Sequence, residues 1–302
     1  MGNFSLGIDL MGADVQAASI IEAVLSSPRD CLADASILFF ASTPIVEQLK
    51  EQFGLHLDFC PCSQVIEMDE SPVRAVKTKT DATVVAGIKA LKTGKIQAFI
   101  SCASTGALVA ASCLHLPKFP SVSKPALISL FPSQQGEVVV LDVGAIASTT
   151  SSQLVQHAFL GALYARQALG IEHPTVALLN IGSEPEKGDE ETRKACQKLM
   201  QQLMQQETPF QFVGNKEPHD LFLGKANVFV TSGFVGNIFL KTAEASCQFV
   251  LERVKEKLAA APAILDKIAS ELRAPMQQGA VLFGVQGLVI KCHGSANKAS
   301  IQ

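Results

Sequence analysis

Residues 226–242 read ANVFVTSGFVGNIFLKT. The first part is apolar and β-branched as far as Thr231, the composition of a buried strand. Ser232-Gly233-Phe234-Val235-Gly236-Asn237 then breaks the run. From residue 236 to 258, Leu240, Ala243, Cys247, Val250, Val254 and Leu258 recur at three- and four-residue steps. That spacing predicts an amphipathic helix. The stretch is therefore a strand, a glycine-bearing turn and a helix in immediate succession.

The same alternation extends outward. Short apolar runs near residues 4–9, 36–41, 96–101, 126–130, 137–142, 175–181, 210–213, 227–231 and 287–292 are separated by helical patterns. Several of these runs lack polar alternation, as strands covered on both faces of a mostly parallel sheet do. A Ser/Thr cluster precedes a helix expected over 151–169, and Asp189-Glu190-Glu191 opens another over 189–206, acidic where the helix dipole favours it. Beyond AAAPA (259–263), Ile264, Leu265, Ile268 and Leu272 form a second stripe, so a helical hairpin is expected over about 236–273. The Pro-rich stretch 117–125 reads as a surface loop. With no repeat, low-complexity tract or linker in view, one doubly wound α/β domain over 1–302 is the expected architecture.

Composition narrows the function classes. Hydrophobic residues make up 48% of the 302 and charged residues 18%, enough for a large core. Trp is absent, Tyr164 is the single tyrosine and the net charge is −3, which argues against a nucleic-acid surface. The start FSLGIDLMGAD reads as a strand without the basic region of a signal peptide, and no uncharged apolar run reaches the length of a membrane span. The eight cysteines are scattered without a C-x-x-C pair, so zinc-ligand spacing is missing and a reducing cytoplasm is expected.

In open α/β sheets ligands bind beyond the carboxyl ends of the strands. Asp9-Leu10-Met11-Gly12, Ser101-Cys102-Ala103-Ser104-Thr105-Gly106, Asp142-Val143-Gly144, Ile181 to Asp189, Ser232 to Asn237 and His293-Gly294-Ser295 all stand at such ends. Glycines admit close backbone approach, hydroxyl and amide side chains donate, and helix starts offer free N–H groups, a combination suited to an anion. Each glycine is also read as a simple turn former. The phosphate-loop pattern G-x-x-x-x-G-K-[ST] and the dinucleotide pattern G-x-G-x-x-G are both missing. Lys187 on its own reads equally as a solvated loop lysine, Asn237 as a helix N-cap, and Asp9 or Asp142 as a turn cap. His293 reads equally as structural, and Arg74, Lys77 and Lys79 as a solvated helix face.

Taken in order, GIDLMGAD, VIEMDESPVRAVKTKTD, STGALVA, LDVGA, LLNIGSEPEKG, FVGN, GFVGNIFLKT and GLVIKCHGSAN resemble the phosphate acyltransferases of bacterial phospholipid synthesis, the PlsX family, over nearly the whole chain. The resemblance implies a three-layer α/β/α sandwich of the isocitrate dehydrogenase-like, phosphotransacetylase-related kind. It implies transfer of a long-chain acyl group from acyl-acyl-carrier protein to inorganic phosphate, without cofactor or metal. It further implies a homodimer in the cytoplasm, held peripherally at the inner membrane, with acyl carrier protein as partner and a glycerol-3-phosphate acyltransferase as a further candidate. Lys187 and Asn237 match the family's catalytic positions. Asp9, Gly12, Ser104, Thr105, Gly106, Asp142, Gly144, Gly236 and His293 are candidates for the substrate and phosphate lining. Arg74, Lys77 and Lys79 are candidates for docking the acidic carrier protein. Around the hairpin tip, Leu258, Ile264 and Leu265 are candidates for membrane contact, with core packing or a dimer surface equally open.

Some positions depart from the family pattern. Ser104 and Ile146 stand where asparagine is usual, Ser232 where aspartate is usual and Ala82 where serine is usual. The chain also ends soon after HGSANKASIQ, where relatives continue as a helix. Two rival readings follow: a carrier-protein or membrane adaptor with impaired catalysis, and covalent transfer through Cys102 with His293 as base.

Overall fold

The computed structural model describes residues 4–12, 16–27, 35–54, 56–205, 208–257, 267 and 279–292. The chain divides into two compact units, Met1–Ser121 with Val281–Gln302, and Val122–Ala280. Both are α/β.

The first unit opens with β1 (Phe4–Asp9), α1 (Ala17–Leu25), β2 (Ala35–Ser42), α2 (Thr43–Phe53) and β3 (Asp58–Cys62). It continues with α3 (Pro72–Thr78), α4 (Thr83–Lys92), β4 (Ala98–Ser101) and α5 (Thr105–His115). The second unit holds β5 (Ala126–Ser133), β6 (Gly136–Leu141), α6 (Ser151–Ala168), β7 (Thr175–Leu179) and α7 (Glu190–Met204). It closes with β8 (Gln211–Lys216), α8 (Pro218–Phe222), β9 (Val228–Val230) and α9 (Gly233–Lys257), after which β10 (Ala280–Phe283) and β11 (Leu288–Lys291) return the chain to the first unit.

In the first unit the strands run β3-β2-β1-β4-β11-β10. β1 pairs in parallel with both β2 and β4, Leu6 facing Ile37 on one side and Ala98 on the other. Phe39, Phe40 and Phe99 are wholly buried there, with Phe40 and Phe99 edge to face at 5.6 Å. β3 was not legible in advance because its sequence, DFCPC, carries a proline. Pro61 is tolerated because β3 occupies the outer edge, pairing with β2 alone in that order. The four-residue β10 also escaped the reading.

In the second unit the order is β5-β6-β9-β7-β8. Val139, Val140, Leu141, Val176, Ala177, Leu178, Val228, Phe229 and Val230 fill its centre with no exposure of consequence. That is the reason these strands read as unbroken apolar runs. Only β5 and β6 pair antiparallel among the pairings described here, Ser133 facing Gly136 across a two-residue connection. So short a connection permits no other direction.

Helix starts follow their sequence signals. Thr150 and Gln153 form a reciprocal capping box on α6, and the Asp189 side chain accepts from the Thr192 N–H at 2.7 Å on α7. α9 begins three residues before the expected start, at Gly233, because Ser232 caps it through the Val235 N–H at 3.4 Å. The expected stripe on α9 is only partly covered: Leu240, Ala243, Cys247 and Val254 are half-buried, Val250 is exposed and Leu251 is buried instead. The hairpin's second arm, with Leu258, Ile264 and Leu265, lies outside the described residues.

His157 on α6 is fully buried, and burial holds its imidazole down at about 4, against the backbone of Lys124. The folded pKa is below the unfolded value, so stability is lost as pH falls from about 6.5 to about 4. His157→Leu is expected to gain about 3 kcal/mol relative to the parent between pH 7 and pH 4. A difference in Tm between the two proteins that stays constant over this range would refute it.

Candidate functional site

The second unit builds its site on one carboxylate. Asp142 follows β6 and is fully buried. Its Oδ1 accepts from the N–H groups of Leu127 (3.1 Å), Gly144 (3.0 Å) and Ala145 (2.8 Å), and its Oδ2 accepts from Ile146 (2.8 Å). Burial pushes this carboxyl's pKa up while the four N–H donors pull it down. The result is a closed backbone loop over residues 142–146, on which α9 is seated.

The seating explains the two glycines of SGFVGN. A Cβ on Gly236 would lie 2.0 Å from the Asp142 carbonyl oxygen, and one on Gly233 would lie 2.3 Å from that of Ile146. Gly144, at φ +134, brings its backbone to Asn237: a Cβ there would stand 3.4 Å from the Asn237 Cβ and Cγ. The structure therefore brings Asp142, Gly144, Gly236 and Asn237 together. Asn237 is exposed and is the fifth residue of α9, so capping the helix is not its task.

Lys187 lies on the loop after β7, also exposed. Its backbone is held although its side chain is free of the core. The Lys187 N–H donates to Glu184 O at 3.1 Å, and its carbonyl accepts from Asn180 Nδ2 at 3.0 Å. The Cγ and Cδ of its stem pass close to Gly182, within 3.0 and 3.4 Å of where a Cβ would be.

In the first unit a second strand-end carboxylate appears. Asp9 is buried, with Ser101 Oγ donating to Oδ2 at 2.8 Å and the Met11 N–H to Oδ1 at 3.1 Å. Burial raises its pKa to about 6, opposed by those hydrogen bonds, by Thr83 and by the charge of Lys291. Gly12 packs beside the next strand end, where a Cβ would be 3.0 Å from that of Ala103. Ser104 stands at the N-cap of α5 without a side-chain cap bond, leaving Thr105 and Gly106 to open the helix. A Cβ on Gly106 would meet Pro72 of α3 at 2.6 Å, so this glycine also serves helix packing.

Of the basic trio, Arg74 and Lys77 are exposed on α3, whereas the Lys79 ammonium is engaged by Val65 O (2.7 Å) and Glu70 Oε1 (2.5 Å). His293 lies outside the described residues. Cys102 is buried against Cys292, and that hydrogen bond together with burial pushes its thiol well above the ordinary cysteine range. Thr83, Asn180 and Asn215 carry no site signal of their own in the sequence: Asn180 and Asn215 merely close the apolar runs VALLN and QFVGN, and Thr83 opens a helix.

Among the described residues no three His, Cys, Asp or Glu side chains lie close enough to hold a metal ion, and no helix is long and apolar enough to cross a membrane. Chemically, the second unit offers a helix start with an exposed carboxamide and, on a separate loop, a cation. These are groups that bind anions and polarise carbonyls.

The profile of a family described as "Fatty acid synthesis protein" matches residues 4–302. A phosphate acyltransferase of Heliobacterium modesticaldum is 35% identical, covering 98% of this chain and 90% of its own. One of Staphylococcus aureus is 36% identical, covering 97% and 89%. Among solved structures, a phosphotransacetylase from Streptococcus pyogenes aligns with a TM-score of 0.62 at 15% identity, over 100% of this chain and 92% of its own. The EutD phosphotransacetylase from Staphylococcus aureus aligns with a TM-score of 0.58 at 16% identity, over 99% and 92%. These two likenesses speak for the fold.

Gly236→Ala tests the seating of α9. In an open helix alanine would stabilise by about 1 kcal/mol. Here the contact with Asp142 O is expected to reverse the sign, to a loss of about 1–3 kcal/mol in denaturant unfolding. A stabilised variant would refute the close approach.

Proposed function

The chain belongs to the phosphate acyltransferase family of bacterial fatty-acid and phospholipid synthesis, and from that premise we propose the particular reaction and the residues that carry it. The acyl donor is a long-chain acyl-acyl-carrier protein and the acceptor is inorganic phosphate. A phosphate oxygen forms a bond to the thioester carbonyl carbon, the C–S bond breaks, and the carrier thiol leaves with a proton from phosphate. The product is an acyl phosphate.

Phosphate is already a nucleophile, so the protein's contribution is placement and charge. Lys187 holds phosphate as a point charge. Asn237 donates its amide to the carbonyl oxygen as negative charge develops there. The observation that carries this assignment is the seat of Asn237: an exposed carboxamide on the first turns of a 25-residue helix, pressed against Gly144 on the backbone loop that Asp142 closes. Within the first unit by itself, Asp9, Gly12, Ser104, Thr105 and Gly106 are the candidates for substrate contact, with the uncapped start of α5 open to an anion. Arg74 and Lys77 steer the acidic carrier protein. The exposed apolar side chains of α9, Phe234, Val235, Ile238, Phe249 and Val250, support a homodimer face or a peripheral contact with the inner membrane. A glycerol-3-phosphate acyltransferase would consume the product there.

The covalent alternative is disfavoured by the contact of Cys102 with Cys292 and by its burial, which push its thiol away from the reactive thiolate. The adaptor alternative loses its motive at Ile146 and Ser232. Ile146 acts through its backbone N–H, and Ser232 still caps α9.

Incubation with palmitoyl-acyl-carrier protein and phosphate, trapped with hydroxylamine, is expected to yield phosphate-dependent hydroxamate. Lys187→Ala and Asn237→Ala should each lower kcat/KM by about a hundredfold or more while leaving Tm unchanged. Phosphate-independent product, or variants with parental rates, would sink the assignment.

A further inference from the structure

We propose that Asn180 is a positioning residue for Lys187: its buried carboxamide locks the loop from Ile181 to Gly188 in the one backbone path that presents the Lys187 side chain. This rests on Lys187 being the cation that holds phosphate.

Asn180 ends the buried run of β7, is 8% exposed, and is anchored to β8 by its own N–H, which donates to Lys216 O at 2.8 Å. Its side chain then spans the loop. Oδ1 accepts from the Ile181 N–H at 2.8 Å, where the loop leaves the strand, and Nδ2 donates to the Lys187 carbonyl at 3.0 Å, where it comes back. The two bonds use the carboxamide in both its senses, which orients it unambiguously. Gly188, at φ +92, lies flat on the amide: a Cβ would be 2.6 Å from Oδ1 and 2.9 Å from Nδ2. A second buried amide, Asn215 on β8, donates to Glu184 O at 2.7 Å, and Arg193 Nη1 donates to Gly188 O at 2.6 Å.

Lys187 is thus an exposed, four-carbon side chain on a backbone pinned at both ends and in the middle. No charged group of the core is needed to hold the ammonium. The direction of the stem along Gly182 follows from where the Lys187 Cα is held. A carbonyl released from Asn180 would let that Cα drift, and small misplacements of a substrate-holding group reduce rate steeply.

Asn180→Asp isolates the donor. It preserves the shape and the acceptor for the Ile181 N–H, and sets an oxygen against the Lys187 carbonyl. The KM for phosphate is expected to rise about ten- to a hundredfold at pH 8, with the KM for palmitoyl-acyl-carrier protein unchanged. Relative to the parent at each pH, the defect should shrink as pH falls from 8 to 5, because burial against the Lys187 carbonyl raises the new carboxyl's pKa and its protonated form donates to that carbonyl again. A parental phosphate KM overturns the proposal. So does a loss that affects both substrates equally and does not vary with pH, since a merely structural role would give that. Should Asn180→Asp fail to fold, Asn180→Ala is read instead: a selective rise in phosphate KM supports the proposal and a parental value overturns it. Lys187→Ala in the same assay separates the two failures. If it remains active, the reading of Lys187 falls and the positioning role with it. If it is inactive while Asn180→Asp is parental, the positioning role alone falls.

Discussion

The second unit depends on the carboxylate of Asp142 and the four backbone N–H groups that point into it. A buried carboxyl is costly unless it is fully hydrogen-bonded. Here its two oxygens satisfy donors that a tight loop would otherwise leave orphaned. The exchange ties β5, through Leu127, to the loop that follows β6. It also creates a backbone surface, with carbonyls at Asp142 and Ile146, onto which a helix start can be laid only if its two facing positions carry no side chain. Gly233 and Gly236 supply that start. Asn237 is presented because the two positions laid on that surface, Gly233 and Gly236, carry no side chain.

A site assembled from backbone tolerates substitutions that look severe in a motif comparison. Ile146 departs from the pattern expected from the resemblance, yet the contribution of this position to the Asp142 loop is its N–H, which any residue but proline has. Ser232, where the resemblance leads one to expect an aspartate, caps α9 through its side-chain oxygen, as an aspartate can. Ala82 differs in kind. It is buried at the N-cap of α4, and having no side-chain oxygen it makes no cap bond to that helix start. The neighbouring Asp81 remains engaged by the Ser63 N–H at 2.7 Å and its hydroxyl at 2.6 Å.

The first unit shows the same device in a weaker form. Asp9 also sits at the end of a parallel strand and collects local donors, but one is a hydroxyl and only one is a backbone N–H. Burial leaves its pKa raised, at about 6, just as burial raises that of Asp142. The Cys102–Cys292 pair beside this strand end is a buried thiol contact between the partner strands β4 and β11.

The α/β class, most strands, the capped helices and the glycine turn before α9 were legible in the sequence, because each rests on local rules. Apolar runs, caps and turn residues act over a few positions, and the chain displays them directly. β3 was hidden because a proline argues against a strand unless the strand is known to be at an edge, and edge position is a property of the sheet. The partners of Asp142 and Asn180 were hidden for a related reason. A carboxylate or carboxamide in a sequence states what it accepts and donates, but the N–H groups and carbonyls that meet it come from any residue. Only the fold selects Leu127 for Asp142 across fifteen positions, or Asn215 for Glu184 across thirty-one. The sequence alone thus determined which residue types stand at the strand ends. The tertiary structure decided which of them present a side chain to solvent and which are spent holding backbone in place.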